Sequence, residues 1–247
     1  MSQATKVALV TGASNGIGKA IAVALAKEGY LVAINYKSDT EGAKSVLKEC
    51  EKSSEGHTLY QADVSEEAEV SRMLADIKEK YNHLDVLVNN AGIFDEGDST
   101  TNTDAFTNVF KNNFLSCVSV VKHSLPLMGT GKIINISSIH GRLGHGRPSA
   151  SAYSAFKAAL NNYTLNLAKE VAPKILVNAV APGRVLTPMW GSLSKEQEKE
   201  LGKAHLTQRM IQPEEVANAV MFIVGNDAMC GEILTIDGGM SLVPLQS

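Results

Sequence analysis

The stretch Thr11-Gly12-Ala13-Ser14-Asn15-Gly16-Ile17-Gly18 joins a β-branched run at residues 7–10 to a helix-length amphipathic segment at residues 16–28. Glycines at such a turn allow tight bends and let the main chain approach a pyrophosphate group closely. The helix that follows points its positive N-terminal end at the same anion. A glycine-rich turn placed directly after the first strand therefore predicts a dinucleotide site.

The same strand-to-helix rhythm continues along the whole chain. Further buried strands are predicted at residues 31–34, 84–88, 132–136, 175–180 and 233–236, and helices at 66–81, 103–127 and 152–172. Strands separated by helical crossovers specify a parallel sheet with helices on both faces. We predict a single α/β domain over residues 1–247, a doubly wound Rossmann fold with about seven strands.

Charge and cysteine content narrow the function classes. The formal net charge of -3 offers no basic footprint, so we expect no nucleic acid and no membrane partner. No apolar run reaches the roughly 18 residues of a membrane helix, and the start of the chain leaves no room for a signal peptide. Three cysteines, far apart in the sequence, favour a reducing cytoplasm over a disulfide framework. Because the histidines and cysteines lack ligand spacing, we expect no metal.

A phenol and an ammonium group stand on one face of a predicted helix, in Tyr153-Ser154-Ala155-Phe156-Lys157. Alone, this pattern usually marks only a surface pair. Upstream, however, the strand at 132–136 runs into Ser137 and Ser138, at the carboxyl edge of the sheet where α/β enzymes bind substrate. Serine, tyrosine and lysine at such an edge suit acid–base chemistry on an oxygen atom.

Together these motifs resemble the classical short-chain dehydrogenase/reductase family, whose glycine motif reads TGxxxGxG, and the resemblance covers nearly the whole chain. Asn89-Asn90-Ala91-Gly92 resembles the NNAG motif of that family, and Ile236-Asp237-Gly238-Gly239 resembles its terminal structural signature. The resemblance implies an enzyme that moves a hydride between a nicotinamide dinucleotide and a carbonyl or secondary alcohol.

The resemblance also implies a catalytic tetrad. Tyr153 would act as acid and base, while Lys157 would stabilise its anion and bind the nicotinamide ribose. The serine would bind and orient the substrate oxygen, and the asparagine would hold a water linking the lysine to solvent. The positions carried over are Asn113, Ser138, Tyr153 and Lys157.

Two tetrad positions have a neighbour of the same type. Ser138 is preferred to Ser137 because it precedes the family's glycine by three residues, and Asn113 is preferred to Asn112. Residues 142–151 make the segment between serine and tyrosine slightly longer than in many relatives, so the shape of this loop is left open.

The cofactor contacts implied by the resemblance come from the carboxyl ends of several strands. The glycine loop would hold the pyrophosphate, the residues after the second and third strands the adenosine, and the residues after the sixth strand the nicotinamide. The predicted set is Gly12, Ser14, Asn15, Gly16, Ile17, Gly18, Asn35, Tyr36, Lys37, Ser38, Asp63, Val64, Asn90, Ala91, Gly92, Tyr153, Lys157, Pro182, Gly183, Val185 and Thr187.

The end of the second strand decides between NAD and NADP. NAD users carry an acid there, and Tyr36 occupies its place. Lys37 and Ser38 could bind a 2′-phosphate, whereas Asp39 is expected to cap the next helix. Asn15 departs from the arginine that many NADP-using relatives place in the glycine loop. We predict NADP(H) in preference to NAD(H).

The sequence constrains the substrate least. A partly apolar rim suits a medium-sized ketone or its alcohol. Residues 190–212 are polar and lie outside the strand pattern, so they form either a solvated helix face or a substrate lid. The predicted substrate-side residues are Ser138, His140, Phe94, Tyr153, Met189 and Trp190.

Several functions stay open within and beyond this family. The nearest resemblance is to 3-oxoacyl-[acyl-carrier-protein] reductases, but residues 125–131 are uncharged where such enzymes often carry Lys or Arg; Arg142 and Arg147 could substitute. We favour a general carbonyl reductase over that activity, over a sugar or steroid alcohol dehydrogenase, and over a non-catalytic dinucleotide sensor. The Tyr–Lys spacing is too short for an enoyl-thioester reductase. The family implies a homotetramer, or a homodimer, built through the helices around Asn113 and Tyr153.

Overall fold

The computed structural model describes residues 5–142, 145–146 and 148–242. Over these residues seven strands form one parallel sheet in the order β3-β2-β1-β4-β5-β6-β7, which confirms the predicted doubly wound α/β fold. The strands are β1 Val7–Val10, β2 Leu31–Tyr36, β3 Thr58–Gln61, β4 Val86–Asn89, β5 Gly131–Ile136, β6 Ile175–Pro182 and β7 Ile233–Ile236. The α-helices are α1 Gly16–Lys27, α2 Thr40–Cys50, α3 Glu67–Tyr81, α4 Thr103–Phe110, α5 Ser116–Ser124, α6 Ser151–Val171, α7 Lys195–Gly202 and α8 Pro213–Val224.

The order of the strands reverses at β1, which pairs with β2 on one side and with β4 on the other. Crossovers therefore run outward in both directions from this strand. Such a switch point leaves a crevice at the carboxyl ends of the strands, where open α/β sheets bind ligands. Since the glycine-rich turn follows β1 and the Asn89-Asn90-Ala91-Gly92 motif ends β4, both motifs border this crevice.

Apolar side chains cover both faces of the sheet. Leu9 and Val10 are neighbours in β1, point to opposite faces and are both fully buried. Leu9 packs in the core that contains Ile77 of α3, and Val10 packs in the core that contains Ile21 of α1 and Ile223 of α8. Burial on both faces explains why the strands read as continuous apolar runs. Within the described residues, none of the helices is long and apolar enough to cross a membrane.

The predicted helix at 103–127 is interrupted. Between α4 and α5 lies one π-helical turn at Lys111–Leu115, and a 3₁₀ turn follows at Leu125–Leu127. In the π turn the Ser116 N–H donates to the Lys111 carbonyl, five residues back. A single π turn inserts one extra residue into an otherwise α-helical run, which is too small a change for the apolar pattern of the sequence to reveal.

The three cysteines lie in different elements of the fold. Cys50 and Cys117 are buried, while Cys230 is exposed between α8 and β7. Burial raises the pKa of both the Cys50 and the Cys117 thiol to about 12. In the described ranges no three His, Cys, Asp or Glu side chains lie close enough together to hold a metal ion.

Candidate active site

The glycine-rich turn forms a cradle that side chains would fill. Gly12 and Gly16 have φ angles of 60° and 54°, in the left-handed region that favours glycine. A Cβ atom on Gly18 would lie 2.4 Å from the Gly12 carbonyl oxygen and 2.5 Å from Asn90 Nδ2. Position 18 therefore has to be glycine for α1 to begin this close to the ends of β1 and β4.

Buried side chains hold this turn against the ends of the neighbouring strands. Thr11 Oγ1 accepts from the backbone N–H groups of Asn90 (3.0 Å) and Ala91 (3.1 Å). Asn90 Nδ2 donates to the carbonyls of Thr11 and Gly12, both at 2.9 Å. Asn35 Oδ1 accepts from the Gly12 N–H at 3.1 Å. Asn35 and Asn90, which were predicted to contact the cofactor, thus use their side-chain amides to shape the turn.

The N-terminus of α1 presents backbone donors to the crevice. Its first turn contains no acid, and the Asn15 side chain does not cap it. Asn15 Nδ2 instead donates to Asp39 Oδ2 at 3.1 Å. Open N–H groups together with the helix dipole suit the pyrophosphate of a dinucleotide.

A cleft of about 650 Å³ runs from this turn to the predicted catalytic residues Ser138, Tyr153 and Lys157. It is large enough for a dinucleotide with room for a substrate. The predicted cofactor and substrate residues line it, with two exceptions, Gly18 and Tyr36. Gly18 lies behind the turn, where it permits close packing. Tyr36 is buried and follows Asn35 in β2, where successive side chains point to opposite faces of the sheet, so its contact with a cofactor stays a prediction.

Charged side chains at the adenosine end are paired with each other. Lys37 Nζ lies 2.6 Å from Asp63 Oδ2. Burial opposes ionisation of Asp63, but its contacts with Lys37 and Ser65 outweigh burial and lower the pKa of this carboxyl. Asp39 caps α2, as predicted, because its Oδ1 accepts from the Gly42 N–H at 2.9 Å. Hydrogen bonds, first from Asn15 and then from Gly42, lower the pKa of Asp39.

At the other end of the cleft, α6 carries the tyrosine and the lysine one turn apart. The Lys157 ammonium is buried, donates to the Ile136 carbonyl at 2.7 Å and lies 5.5 Å from the centroid of the Tyr153 ring. Burial lowers the pKa of Lys157 to about 8. A cation is therefore held beside the phenol in surroundings where its field is weakly screened.

Both serines after β5 line the cleft, but their hydroxyls differ. Ser137 Oγ donates to Asn161 Oδ1 at 2.5 Å, and Asn161 in turn donates to the Gly141 carbonyl. Ser138 Oγ accepts from the His140 N–H at 3.2 Å. Since accepting leaves the hydroxyl proton of Ser138 for a ligand oxygen, the geometry favours Ser138 as the substrate-binding serine.

The π turn buries Asn113 and leaves Asn112 half-buried at the edge of the cleft. Asn113 Oδ1 accepts from the Ile93 N–H at 3.0 Å, and its Nδ2 donates to the Ile93 carbonyl at 3.1 Å. Asn112 instead donates to Asn108 on the exposed side. An internal cavity of about 10 Å³ lies between Asn113 and Lys157, close to the smallest volume that holds one water.

The substrate end is lined by the predicted residues and by several that the sequence did not indicate. The ring centroids of Phe94 and His140 lie 6.0 Å and 6.4 Å from that of Tyr153. Met189 is strongly exposed, whereas Trp190 Nε1 donates to the Val185 carbonyl at 2.9 Å. The residues missed are Ile93, Glu96, Arg184 and Met240, which all follow strand ends and could have been found from that position alone.

Residues 190–212 divide into two halves. The first contains α7, an exposed helix that begins with a capping box between Ser194 and Gln197. The second is tied to the loop after β6, because the Leu186 N–H donates to the Ile211 carbonyl and the Ile211 N–H donates to the Arg184 carbonyl. The first half, which contains the exposed helix α7, has the surface position that a lid requires.

His205 is the buried link in the second half. Its Nε2 accepts from the Arg184 N–H at 3.2 Å, and its Nδ1 lies 3.3 Å from the Gly202 carbonyl. Burial lowers the pKa of His205, so the neutral imidazole that can accept this bond is favoured. The loop that follows Pro182 and Gly183 is thus braced from behind.

Of the two arginines considered for an acidic partner, Arg142 donates to Thr235 Oγ1 and does not line the cleft. Arg147 lies outside the described residues.

Comparisons with known proteins agree with this geometry. Residues 12–241 match a family model described as enoyl-(acyl carrier protein) reductase. A 3-oxoacyl-[acyl-carrier-protein] reductase FabG from Staphylococcus aureus is 36% identical over 243 residues, covering 96% of this chain and 98% of the relative. The crystal structure of a dehydrogenase/reductase from Sinorhizobium meliloti superposes with a TM-score of 0.89 at 34% identity, covering 97% and 96% of the two chains. That of acetoin dehydrogenase YohF from Salmonella typhimurium gives 0.88 at 31% identity, covering 98% of each.

Proposed function

The chain belongs to the classical short-chain dehydrogenase/reductase family and is an oxidoreductase of the carbonyl/alcohol type, and we propose that it is an NADPH-dependent reductase of small ketones. One arrangement supports this proposal: Ser138, Tyr153 and Lys157 meet at one end of a cleft whose other end is a glycine cradle. Lys37 and Ser38 line the adenosine end, where they could bind a 2′-phosphate.

The residues of this chain act on the substrate oxygen. When bound, the cofactor supplies the hydride that reaches the carbonyl carbon. Ser138 donates a hydrogen bond to the carbonyl oxygen, and Tyr153 transfers its phenolic proton to that oxygen as negative charge develops. The Lys157 ammonium stabilises the phenolate that remains. A water between Asn113 and Lys157 would return the proton from solvent.

The shape of the substrate end supports a small, uncharged ketone. Phe94, Met189 and Trp190 provide apolar surface, and His140 provides a polar edge. Acetoin, the substrate named for a structural relative, has this combination of a carbonyl and a small polar group. We therefore propose acetoin or its diketone, diacetyl, as the first compounds to test.

A 3-oxoacyl-[acyl-carrier-protein] reductase is the second candidate, favoured by the 36% identity to such an enzyme. Acidic carrier proteins usually need a basic landing surface. Here Glu96 stands on the rim of the cleft, and the uncharged run at 125–131 offers no cation. These two features favour the free ketone over the carrier-bound substrate.

Assembly, location and the lid complete the proposal. Phe110 stacks on Phe114 at 5.5 Å and lies 4.7 Å from Phe156, and Leu115 beside them is exposed. This apolar surface of α4 and α6 supports the homotetramer, or homodimer, expected from the family, and sedimentation would measure it. We propose a cytoplasmic protein whose segment around α7 (Lys195–Gly202) covers bound substrate.

The proposal is tested first by titration with NADPH and with NADH, followed by the fluorescence of the reduced nicotinamide. Tight binding of NADPH with weaker binding of NADH is expected. Oxidation of NADPH is then followed with diacetyl, with acetoin and with acetoacetyl-acyl carrier protein. Preference for the carrier-bound substrate would replace the main proposal by the second candidate. Binding without turnover on any carbonyl would favour a dinucleotide sensor.

A further inference from the structure

A buried carboxylate from a distant loop caps the helix that carries Tyr153. Asp98, which follows β4 and is 6% exposed, accepts two backbone hydrogen bonds. Its Oδ1 lies 2.8 Å from the N–H of Ala152, and its Oδ2 lies 3.0 Å from the N–H of Tyr153. The local N-cap residue, Ala150, has no side chain that could make these bonds. Two of the four donors that a helix start leaves unpaired are therefore satisfied by Asp98 alone.

The position of Tyr153 makes this cap relevant to catalysis. Tyr153 is the third residue of α6, in the turn most prone to fraying. Lys157 lies one turn further in and is fixed separately by the Ile136 carbonyl. Without the cap, the phenol could move relative to an ammonium group that stays in place.

The same loop also contacts the tyrosine ring. Phe94 lies edge-on to Tyr153, with the ring centroids 6.0 Å apart, four residues before Asp98. The loop therefore holds Tyr153 at two points, its backbone N–H and its ring. A carboxylate at a helix N-terminus is further favoured by the helix dipole.

We propose that Asp98 is a positioning residue, which fixes the first turn of α6 and thereby orients the Tyr153 phenol toward the substrate oxygen. This inference rests on the proposed reductase function. Small displacements of a catalytic group reduce turnover steeply, and about 1 Å can lower it 10²-fold. Binding of the dinucleotide at the glycine cradle does not depend on this turn.

The test compares D98A, which removes both acceptors, with D98N, which keeps one. We expect kcat for diacetyl reduction to fall about 10- to 100-fold in D98A and less in D98N, while the dissociation constant for NADPH stays within about twofold of wild type. The control is D95A, because Asp95 is in the same loop but its side chain accepts from the Gly97 N–H and from Asn108 Nδ2, and the substitution keeps its backbone carbonyl, which accepts from the Asp98 N–H. D95A should keep wild-type kcat.

Either of two results would overturn the inference. In the first, kcat of D98N and D98A is unchanged. In the second, kcat and NADPH affinity fall in parallel with the unfolding temperature, which indicates a structural role only. If D98A does not fold, D98N still tests the inference. A reduced kcat at wild-type NADPH affinity supports it, and an unchanged kcat overturns it.

A second readout separates this inference from the proposed function. Should wild-type protein reduce no carbonyl compound, the reductase proposal fails, and the orientation of Tyr153 can still be measured by NMR of ¹³C-labelled tyrosine. We expect the Tyr153 resonance, assigned with Y153F, to shift or broaden in D98A and D98N but not in D95A. An unchanged resonance in D98A and D98N would reject the positioning role.

Discussion

At the adenosine end of the cleft each charged group has a partner, because Lys37 forms an ion pair with Asp63 and Asp39 accepts a hydrogen bond from Asn15. At the catalytic end, Lys157 is buried, and burial lowers its pKa against a smaller opposite contribution from the Cys117 thiol. The first arrangement is solvated and costs little to fold. The second keeps a cation out of water, which is unfavourable for folding but strengthens its field at the phenol. The region expected to provide cofactor affinity thus costs little to fold, whereas the region expected to provide reactivity is unfavourable for folding.

The largest effect should come from the catalytic end. Tyr153→Phe removes the transferable proton and should reduce turnover about 10² to 10⁴-fold, the usual scale for a positioned acid–base group. NADPH titration should be nearly unchanged, because the paired residues of the adenosine end are untouched. Steady-state kinetics and fluorescence titration of the same preparation measure both. Near-normal turnover would remove Tyr153 from the mechanism.

The folding penalty of the buried cation is the next effect. Since the pKa of Lys157 is lowered to about 8 by burial, the folded protein binds fewer protons than the unfolded chain between about pH 8 and pH 10.5. Stability from this group therefore rises with pH in that window, and at pH 7 the ammonium destabilises the fold by up to about 3 kcal/mol.

Lys157→Met should accordingly stabilise the protein at pH 7, by less than that limit because the Ile136 carbonyl loses its donor. The gain should shrink as the pH approaches 10. Urea unfolding at both pH values measures it, and a variant less stable than wild type at pH 7 would contradict the comparison between the two ends.

At the adenosine end a smaller effect is expected. Lys37→Ala should weaken NADPH binding about 10-fold, the value of one charge-assisted contact to phosphate, and leave NADH binding unchanged. Lys44→Ala is the matched control, since Lys44 is also an exposed lysine in an ion pair, with Glu41, but lies outside the cleft. Equal losses for both cofactors would show that Lys37 does not read the 2′-phosphate.

The smallest effect concerns the brace that His205 forms behind the loop after Pro182 and Gly183. Burial lowers the pKa of His205, with smaller influences from Arg184, Asp237 and Arg209. The folded state therefore favours the neutral ring, so its contribution is complete above about pH 6.5 and is lost as the pH falls below that value. His205→Gln keeps an acceptor for the Arg184 N–H but does not titrate.

Between pH 7 and pH 5 the variant should consequently lose less stability than wild type, by about 1 kcal/mol or less. Urea unfolding across this range measures the difference. His57, whose pKa is also lowered by burial, is present in both proteins and cancels in the comparison. Parallel acid profiles would show that the brace is insensitive to protonation.

Local patterns predicted the parts of the site that are local in sequence. The glycine turn, the Tyr153–Lys157 pair and the serine after β5 are each recognisable within a short stretch of sequence, and the family resemblance assigns their roles. Asp98 could not be predicted, because its partners are more than 50 residues away and a lone loop acid has no pattern. The Lys37–Asp63 pair could not be predicted either, because its two residues follow different strands. Tyr36 lies outside the lining of the cleft, although the alternation of side chains along β2 is a local pattern.

The reactivity of the cysteines can report how often parts of this protein open locally. A thiol reagent near neutral pH should modify Cys230 at once, whereas Cys50 and Cys117 can react only when the surrounding structure opens, because burial shields both thiols and keeps them protonated. Cys117 lines the same internal cavity as Lys157. The rate at which Cys117 is modified, followed by mass spectrometry, would therefore measure how often the structure around Lys157 opens. No label has to be introduced for this measurement.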